Sequence, residues 1–509
     1  MKLSSQILGV IQKKRGEKSF SEIMQLPEKV LQFGTGVLLR GLPDVYIDLA
    51  NKQNIFNGRI VVVKSTDSGG ADAFAKQDGL YTVLIRGFEN GKQVDTNMVN
   101  ASISRVLSAS SEWDAILACA ENPQMQMVIS NTTEVGISLV EELIQANPPV
   151  SFPGKLLAFL YRRYQFFNGA MDAGMVIVPT ELISENGHKL KSILLALSTF
   201  NQMDAAFINW LDNANDFCNS LVDRIVPGKL NAIEQQQVSN QLGYEDDLMI
   251  MCEPYSLWAI ETKKGKTREL LSFSRVNEEV KITGDISKYK ELKLRLLNAT
   301  HSFSCALAMF CGFQSVKEAM STEYFRKYVL LLMLNEIKPL VVSETITDKE
   351  AELFAQQVID RFRNNSIEHL WVNISMQYTM KMAMRCVPLM AKNYEQNKPT
   401  PKLMLLGFAA YLLLLKTEQN ANGSFSAVIG KKQIPLTDEK APVLYQHWQN
   451  ETVKICIAGI LKEAKIWNIN LLQFHNFESD LLNCVMELQE IPAPTILQHL
   501  IPQKQRNEK

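Results

Sequence analysis

The sequence predicts an α/β domain of the Rossmann, dinucleotide-binding type over residues 1–285, followed by a mostly helical domain over residues 286–509. Three observations lead there. A short apolar strand, Lys29 to Phe33, runs into a glycine turn and then into an amphipathic stretch from Leu38 to Asn51. Further short apolar strands recur through the first half, the second arriving where a βαβ unit requires it. From about residue 286 strand patterns nearly vanish and long helical patterns run to the end.

In chain order, residues 1–28 are a polar lead-in. The turn reads Gly34-Thr35-Gly36-Val37-Leu38-Leu39-Arg40. Glycine lets the backbone approach a pyrophosphate, which then sits on a helix N-terminus. The candidate dinucleotide contacts are Phe33, Gly34, Thr35, Gly36, Val37, Leu38 and Arg40. The third glycine of the usual fingerprint is missing, and a glycine turn before a helix is common in itself. The next strand, Arg59 to Val63, ends in Lys64-Ser65-Thr66-Asp67. Asp67 could hold the ribose hydroxyls, although it lies late, and Lys64 would tolerate a 2′-phosphate. These residues leave NAD and NADP both open.

Gln77 to Gly87 alternates like an exposed hairpin strand, with Asn90-Gly91 as its turn. Met127 to Ser130 reads as a buried parallel strand ending in Asn131-Thr132-Thr133-Glu134. Polar residues there either face a ligand crevice or cap a following helix. Gly174 to Pro179 is another strand, leading to Thr180-Glu181-Leu182-Ile183 and then Asn186-Gly187, which alone is a turn. Asp223-Arg224 could be an internal ion pair or a ligand contact, and Tyr255 to Glu261 is strand-like.

The helical half carries patterns at 290–311, 322–338, 348–363, 368–383, 400–416, 437–464 and 477–489, with a hairpin-like loop from Gly423 to Leu436. The first of these holds the chemistry. At about 100° per residue, Lys293, Asn298 and His301 fall within an arc of roughly 140°. A Lys with a lowered pKa can exchange a proton with an alcohol, an amide can stabilise the alkoxide, and an imidazole can orient the hydroxyl. By spacing alone, a solvated polar face on an amphipathic helix is the simpler reading.

The totals exclude several classes. A length of 509 residues supports two or more domains, and a net charge of -1 gives no sign of a nucleic-acid or membrane partner. The eight cysteines are scattered without a CxxC pair, which suits reduced core thiols in a cytoplasmic protein. The N-terminus has no apolar signal core, and the apolar run Leu403 to Leu415 is too short to span a bilayer comfortably. Six histidines without a Cys/His cluster at ligand spacing argue against a zinc site.

Taken together, Gly34-x-Gly36-x-x-x-Arg40, Val222-Asp223-Arg224-Ile225 and Lys293-x-x-x-x-Asn298-x-x-His301 resemble the long-chain polyol dehydrogenase (mannitol dehydrogenase) family. The resemblance runs from about Val30 to Glu490. It includes Gln77-Asp78-Gly79-Leu80-Tyr81-Thr82, Ser130 to Glu134 with Gly136-Ile137-Ser138, Glu181 to Gly187, and Asp360-Arg361-Phe362-Arg363-Asn364. It implies an expanded Rossmann domain, a helical second domain and an active site in the cleft between them. It also implies NAD-dependent, metal-free hydride transfer. Lys293 would be the general acid/base, Asn186 and Asn298 would hold the oxyanion, and His301 would orient the hydroxyl. Asn131, Thr132 and Thr133 would join the cofactor set. Asp223 matches a substrate-contacting position, and Arg361 or Arg363 would hold a carboxylate. The likeness is strongest to members that interconvert a hexuronate and an aldonate in hexuronate catabolism. Family members are often monomers, so a monomer or weak homo-oligomer is expected.

The chain departs from the family in places. Asn365 follows Asn364 where many relatives have proline, and Leu38 replaces a common aromatic. Lys290 and Glu291 occupy the region of a proposed proton gate in some relatives, so no gate is carried over. Two rival readings are weaker. Tyr289-x-x-x-Lys293 also matches the Tyr/Lys pair of short-chain dehydrogenases, but it lies far too late after the glycine turn. A non-catalytic dinucleotide sensor would be marked by loss of the Lys/Asn/Asn/His set, which is complete here.

Overall fold

The structure, a computed structural model, describes residues 1–10, 18–65, 71–132, 135–450 and 452–500. Asp67 and Thr133 lie outside the described residues. The chain forms two compact units: Met1–Arg86 with Gln93–Ile286, and Gly87–Lys92 with Ser287–Lys509. The tip of one hairpin thus belongs to the second unit, a feature with no mark in the sequence.

The first unit contains β1 (Glu28–Phe33), β2 (Arg59–Lys64), β3 (Tyr81–Glu89), β4 (Lys92–Asn100), β5 (Ile103–Ser108), β6 (Met127–Ser130), β7 (Val176–Pro179) and β8 (Asp216–Phe217). Six of these form a parallel sheet in the order β5-β2-β1-β6-β7-β8. Successive side chains point to opposite faces. Leu31, Phe33, Val61, Val63, Val128 and Ile177 therefore enter one core, while Val30, Ile60, Val62, Ile129 and Val178 enter the other. Both faces are covered, which is why these strands read as apolar runs and not as alternation. The order reverses at β1, with β2 on one side and β6 on the other. A crevice opens at the carboxyl ends of strands at such a switch point. Gly34 and Asn131 are the first residues beyond β1 and β6.

The single helix expected from Leu38 to Asn51 is broken. A short helix Val37–Gly41 ends at Leu42, and a second helix runs Pro43–Lys52. Leu42 is driven out of the helical region (φ -133, ψ -79) because it precedes a proline.

Two three-stranded sheets complete the unit. With β9 (Ser220–Asp223), β10 (Ile250–Cys252), β11 (Leu257–Glu261) and β12 (Val280–Thr283) they run β10-β3-β4 and β12-β11-β9. Asn90 and Gly91 both take left-handed φ (51 and 73), as a tight hairpin turn requires. The start of β3 is buried, not exposed, because β10 pairs alongside it.

Among its described residues the second unit is helical apart from the hairpin tip and one small sheet of β13 (Glu418–Gln419), β14 (Phe425–Ile429) and β15 (Lys432–Leu436). Three of its helices contain a π turn: Lys293–Ala299, Leu332–Ile337 and Met382–Cys386. The first packs against the other two. Arg295 ties two of them together, donating through Nη1 to the carbonyls of Met384 (3.1 Å) and Arg385 (2.8 Å). The helix Thr300–Phe310 is buried along nearly its whole length against Lys402–Leu414. At Gly407 a side chain would meet the Phe303 carbonyl at 2.5 Å, so only glycine allows this approach. Among the described residues no helix is long and apolar enough to cross a membrane.

Candidate active site

In the first unit the site gathers at the carboxyl ends of β1, β6 and β7. Gly34 adopts φ +125 and donates its N–H to Val63 O at 3.0 Å. A Cβ there would lie 2.8 Å from the Asn131 carbonyl. Gly36 is different: its φ is -61, and a Cβ would meet nothing within 4 Å. Protein sterics explain the first glycine and leave the second with open space above it. Gly34→Ala is expected to destabilise the protein by about 1–3 kcal/mol in urea unfolding, and Gly36→Ala to leave stability unchanged within about 0.5 kcal/mol.

Two expected cofactor contacts are not made by side chains. Phe33 is fully buried, its ring 5.0 Å from that of Phe152, so only its backbone reaches the crevice. Arg40 is buried as well. Its Nη1 donates to Leu248 O at 2.6 Å and its guanidinium lies over the Phe74 and Tyr81 rings. The helix turns Arg40 into the core, away from any phosphate on the glycine turn. Thr35 and Gly36 are accessible, while Val37 and Leu38 pack partly against the core.

No helix follows β6 among residues 135–151, so Asn131 and Thr132 do not cap one. They are stitched to the end of β7 instead. Asn131 Nδ2 donates to Thr180 O (3.1 Å) and Oγ1 (3.0 Å). Glu181 accepts from Thr132 N (3.0 Å), Thr132 Oγ1 (3.1 Å) and Ser130 Oγ (3.1 Å). Burial raises the Glu181 pKa against these hydrogen bonds. Glu181 is a positioning residue that the motif contained without revealing its role; a lone carboxylate just past an apolar strand was the available signal.

Asn186, just beyond β7, is held by backbone on both sides of its amide. Its Nδ2 donates to the carbonyls of Pro179 (3.0 Å), Glu181 (3.1 Å) and Ser220 (3.1 Å), and Oδ1 accepts from the N–H groups of Gly187 and Ser220. Three acceptors share its two amide hydrogens. The residue before it, Glu185, is held left-handed at φ 52. Asn186 holds the end of β7 to β9. Asp223 ends β9, buried and paired in register with Leu257. Its neighbour Arg224 donates to Glu253 O and Gly41 O.

In the second unit Lys293 and Asn298 lie on the π turn and His301 on the helix that follows. Hydrogen bonding from i to i+5 stacks residues five apart. Lys293 and Asn298 have that spacing, so the π turn aligns them more closely than the α-helix assumed from sequence. Glu291 pairs with Arg295 at 2.8 Å.

His301 is buried face to face with Phe362 (4.1 Å, 6°) and edge-on to His369 (5.2 Å) and Trp371 (6.2 Å). Its Nε2 has no hydrogen-bond partner. A buried polar atom without a partner is costly. Burial holds the His301 pKa well below the usual range, and His369, Arg361, Arg385 and Lys381 add to the effect. The imidazole is therefore neutral among cations.

That set of cations separates the two candidate arginines. Arg361 is buried, and its charge bears on both His301 and His369. Arg363 points elsewhere, its guanidinium 5.1 Å over Phe88. Lys381 and Arg385 went unread in the sequence, although two cations four residues apart in a methionine-rich helix were a signal. Burial lowers the pKa of both. Asn364 Oδ1 accepts from Ser366 N (2.9 Å), which closes that turn without the proline common in relatives. Among the described residues no three His, Cys, Asp or Glu side chains converge as a metal site.

Comparison with known proteins adds the following. The family model described as mannitol dehydrogenase Rossmann domain matches residues 28–272, and that described as mannitol dehydrogenase C-terminal domain matches residues 285–488. The altronate oxidoreductase of Halalkalibacterium halodurans is 37% identical over 88% of this chain and 88% of its own. That of Bacillus subtilis is 35% identical over 78% of this chain and 82% of its own. Among solved structures, a mannitol 2-dehydrogenase of Pseudomonas fluorescens in ternary complex with NAD and D-mannitol superposes with a TM-score of 0.67 at 22% identity. It covers 98% of this chain and 99% of its own. A substrate-free D-sorbitol dehydrogenase gives 0.76 at 18% identity, covering 99% and 100%.

Proposed function

Because this chain belongs to the mannitol dehydrogenase family and is a dehydrogenase acting on a CH–OH group, we propose that it interconverts D-tagaturonate and D-altronate with NAD, in hexuronate catabolism. The observation that carries the substrate reading is the neutral, unpartnered His301 among Arg361, Lys381 and Arg385. A polyol has no charge for such a set to meet, whereas a hexuronate brings a carboxylate.

The open space above Gly36 fits a dinucleotide held by backbone at the glycine turn. Gly36→Ala is expected to weaken NADH binding at least about ten-fold in a fluorescence titration while the unfolding midpoint stays put. When bound, the nicotinamide supplies the hydride in reduction and accepts it in oxidation. Lys293 gives the proton to the carbonyl oxygen in reduction and takes it back in oxidation. Asn298, aligned with it on the π turn, donates to that oxygen as charge develops. His301 orients the hydroxyl through Nε2. Arg361 takes the carboxylate, and Asp223 contacts a substrate hydroxyl. Asn186 and Glu181 keep the strand ends in place and touch no reacting atom.

The test is NADH oxidation with D-tagaturonate beside D-fructuronate, D-fructose and fructose 6-phosphate, each repeated with NADPH. Fastest turnover of D-tagaturonate with NADH is expected. Preference for another sugar moves the substrate to the fructuronate/mannonate, mannitol or mannitol 1-phosphate reaction. Dinucleotide binding without turnover of any of them would leave a non-catalytic sensor.

A further inference from the structure

A buried carboxyl lies beneath the glycine turn, outside the residues assigned above. Asp44 is fully buried in the first turn of the helix Pro43–Lys52. Its Oδ2 is 3.3 Å from Tyr81 Oη and 3.5 Å from Gln32 Nε2, and its Oδ1 has no partner. Both neighbours also hold the turn. Gln32 Nε2 donates to Gly34 O at 3.4 Å, and Tyr81 Oη donates to Arg40 O at 2.9 Å. Gly34 and Arg40 bracket the turn. The two side chains that anchor its carbonyls are therefore the two that face Asp44.

We propose that Asp44 is carried as a neutral acid and is a positioning residue for the glycine turn, so that its ionisation loosens the grip on the dinucleotide. The inference rests on reading Gly34–Val37 as the dinucleotide turn.

The geometry distinguishes the two protonation states. Tyr81 has one hydroxyl hydrogen and two acceptors in reach, and the shorter contact is to Arg40 O. A neutral Asp44 leaves that hydrogen with Arg40 O and can donate its own proton to Tyr81 Oη. An ionised Asp44 draws it away and tightens its own pull on the second hydrogen of the Gln32 amide, whose first serves Gly34 O. Gln32 Oε1, also without a partner, is a further acceptor beside the network. A fully buried carboxylate with one bare oxygen is far more costly than the neutral acid.

The surrounding charges do not reverse this. Arg40 is the nearest cation, yet its Nη1 is engaged by Leu248 O, and Asp246 lies beyond it. Asp48, one turn along, is paired with Lys52 at 2.6 Å and adds negative charge. Burial pushes the Asp44 carboxyl up to about 7, against the opposing pull of Gln32, Arg40 and Tyr81. The neutral form is favoured below that pH and is lost as pH rises through it.

The experiment is an NADH fluorescence titration of the full chain at about pH 6 and about pH 8.5, for wild type, Asp44→Asn and Tyr81→Phe. Wild type is expected to bind about three- to ten-fold more weakly at the higher pH. Asp44→Asn keeps a donor toward Tyr81 and cannot ionise, so its affinity stays level between the two. Tyr81→Phe loses the tie to Arg40 O and binds weakly at both. A pH-independent wild type, or an Asp44→Asn variant that still falls in parallel with wild type, overturns the proposal. Absence of NADH binding at either pH overturns the reading of the turn, and this inference with it. Infrared difference spectra of aspartate-labelled wild type between the same two pH values provide a check without mutation. Loss of a buried protonated carboxyl band supports the proposal, and its absence at the lower pH overturns it.

Discussion

Lys293→Ala is expected to lower kcat for tagaturonate reduction by about 10²–10⁴-fold while NADH binds as tightly as to wild type. Lys293 lies in the second unit and the glycine turn in the first. Stopped-flow absorbance at the NADH band separates the two effects. A small loss, below about ten-fold, would assign the proton to another group. Tyr289, four residues back, is the first alternative to examine, and Tyr289→Phe with near-normal turnover removes it.

His301→Leu is expected to lower kcat/KM by about 10²–10³-fold and to change the acid stability of the protein. The apolar replacement keeps contact with Phe362 and Trp371 but offers no group to the substrate hydroxyl. The pH effect has a definite sign. Folding depresses the His301 pKa below its ordinary value near 6.5, so the unfolded chain binds a proton that the folded chain does not. The stability tied to His301 is complete above about pH 6.5 and declines as pH falls, by up to about 1.4 kcal/mol per pH unit. His369, shifted the same way, steepens the decline. Urea unfolding at about pH 7 and about pH 5 should show a smaller loss on acidification for His301→Leu than for wild type. Equal losses would mean that His301 is not buried as a neutral ring.

The apolar strands, the glycine turn after β1 and the change of character near residue 286 were legible because hydrophobic pattern and glycine placement act locally. Proline at position 43 could have revealed the helix break, but the apolar periodicity ran through it. Long-range geometry stayed hidden. Nothing near Arg40 says that it packs between Phe74 and Tyr81, nor near Arg363 that it covers Phe88. Asn186 read locally as a turn and drew notice only through the family resemblance, whereas its amide donates to three carbonyls at strand ends, one of them far away in sequence. The cations at 381 and 385 act on His301 only because separate helices meet, which no local pattern encodes.

The π turn at Lys293–Ala299 also bears on how such a helix can evolve. A π turn is an α-helix carrying one surplus residue, and it gives up regular hydrogen bonding to keep it. Deleting a single position between Lys293 and Asn298 would restore an unbroken α-helix and leave the two side chains at i and i+4, about 40° apart around the axis. A sequence alignment that slides a gap through this stretch would shift Asn298 and His301 by one position against Lys293.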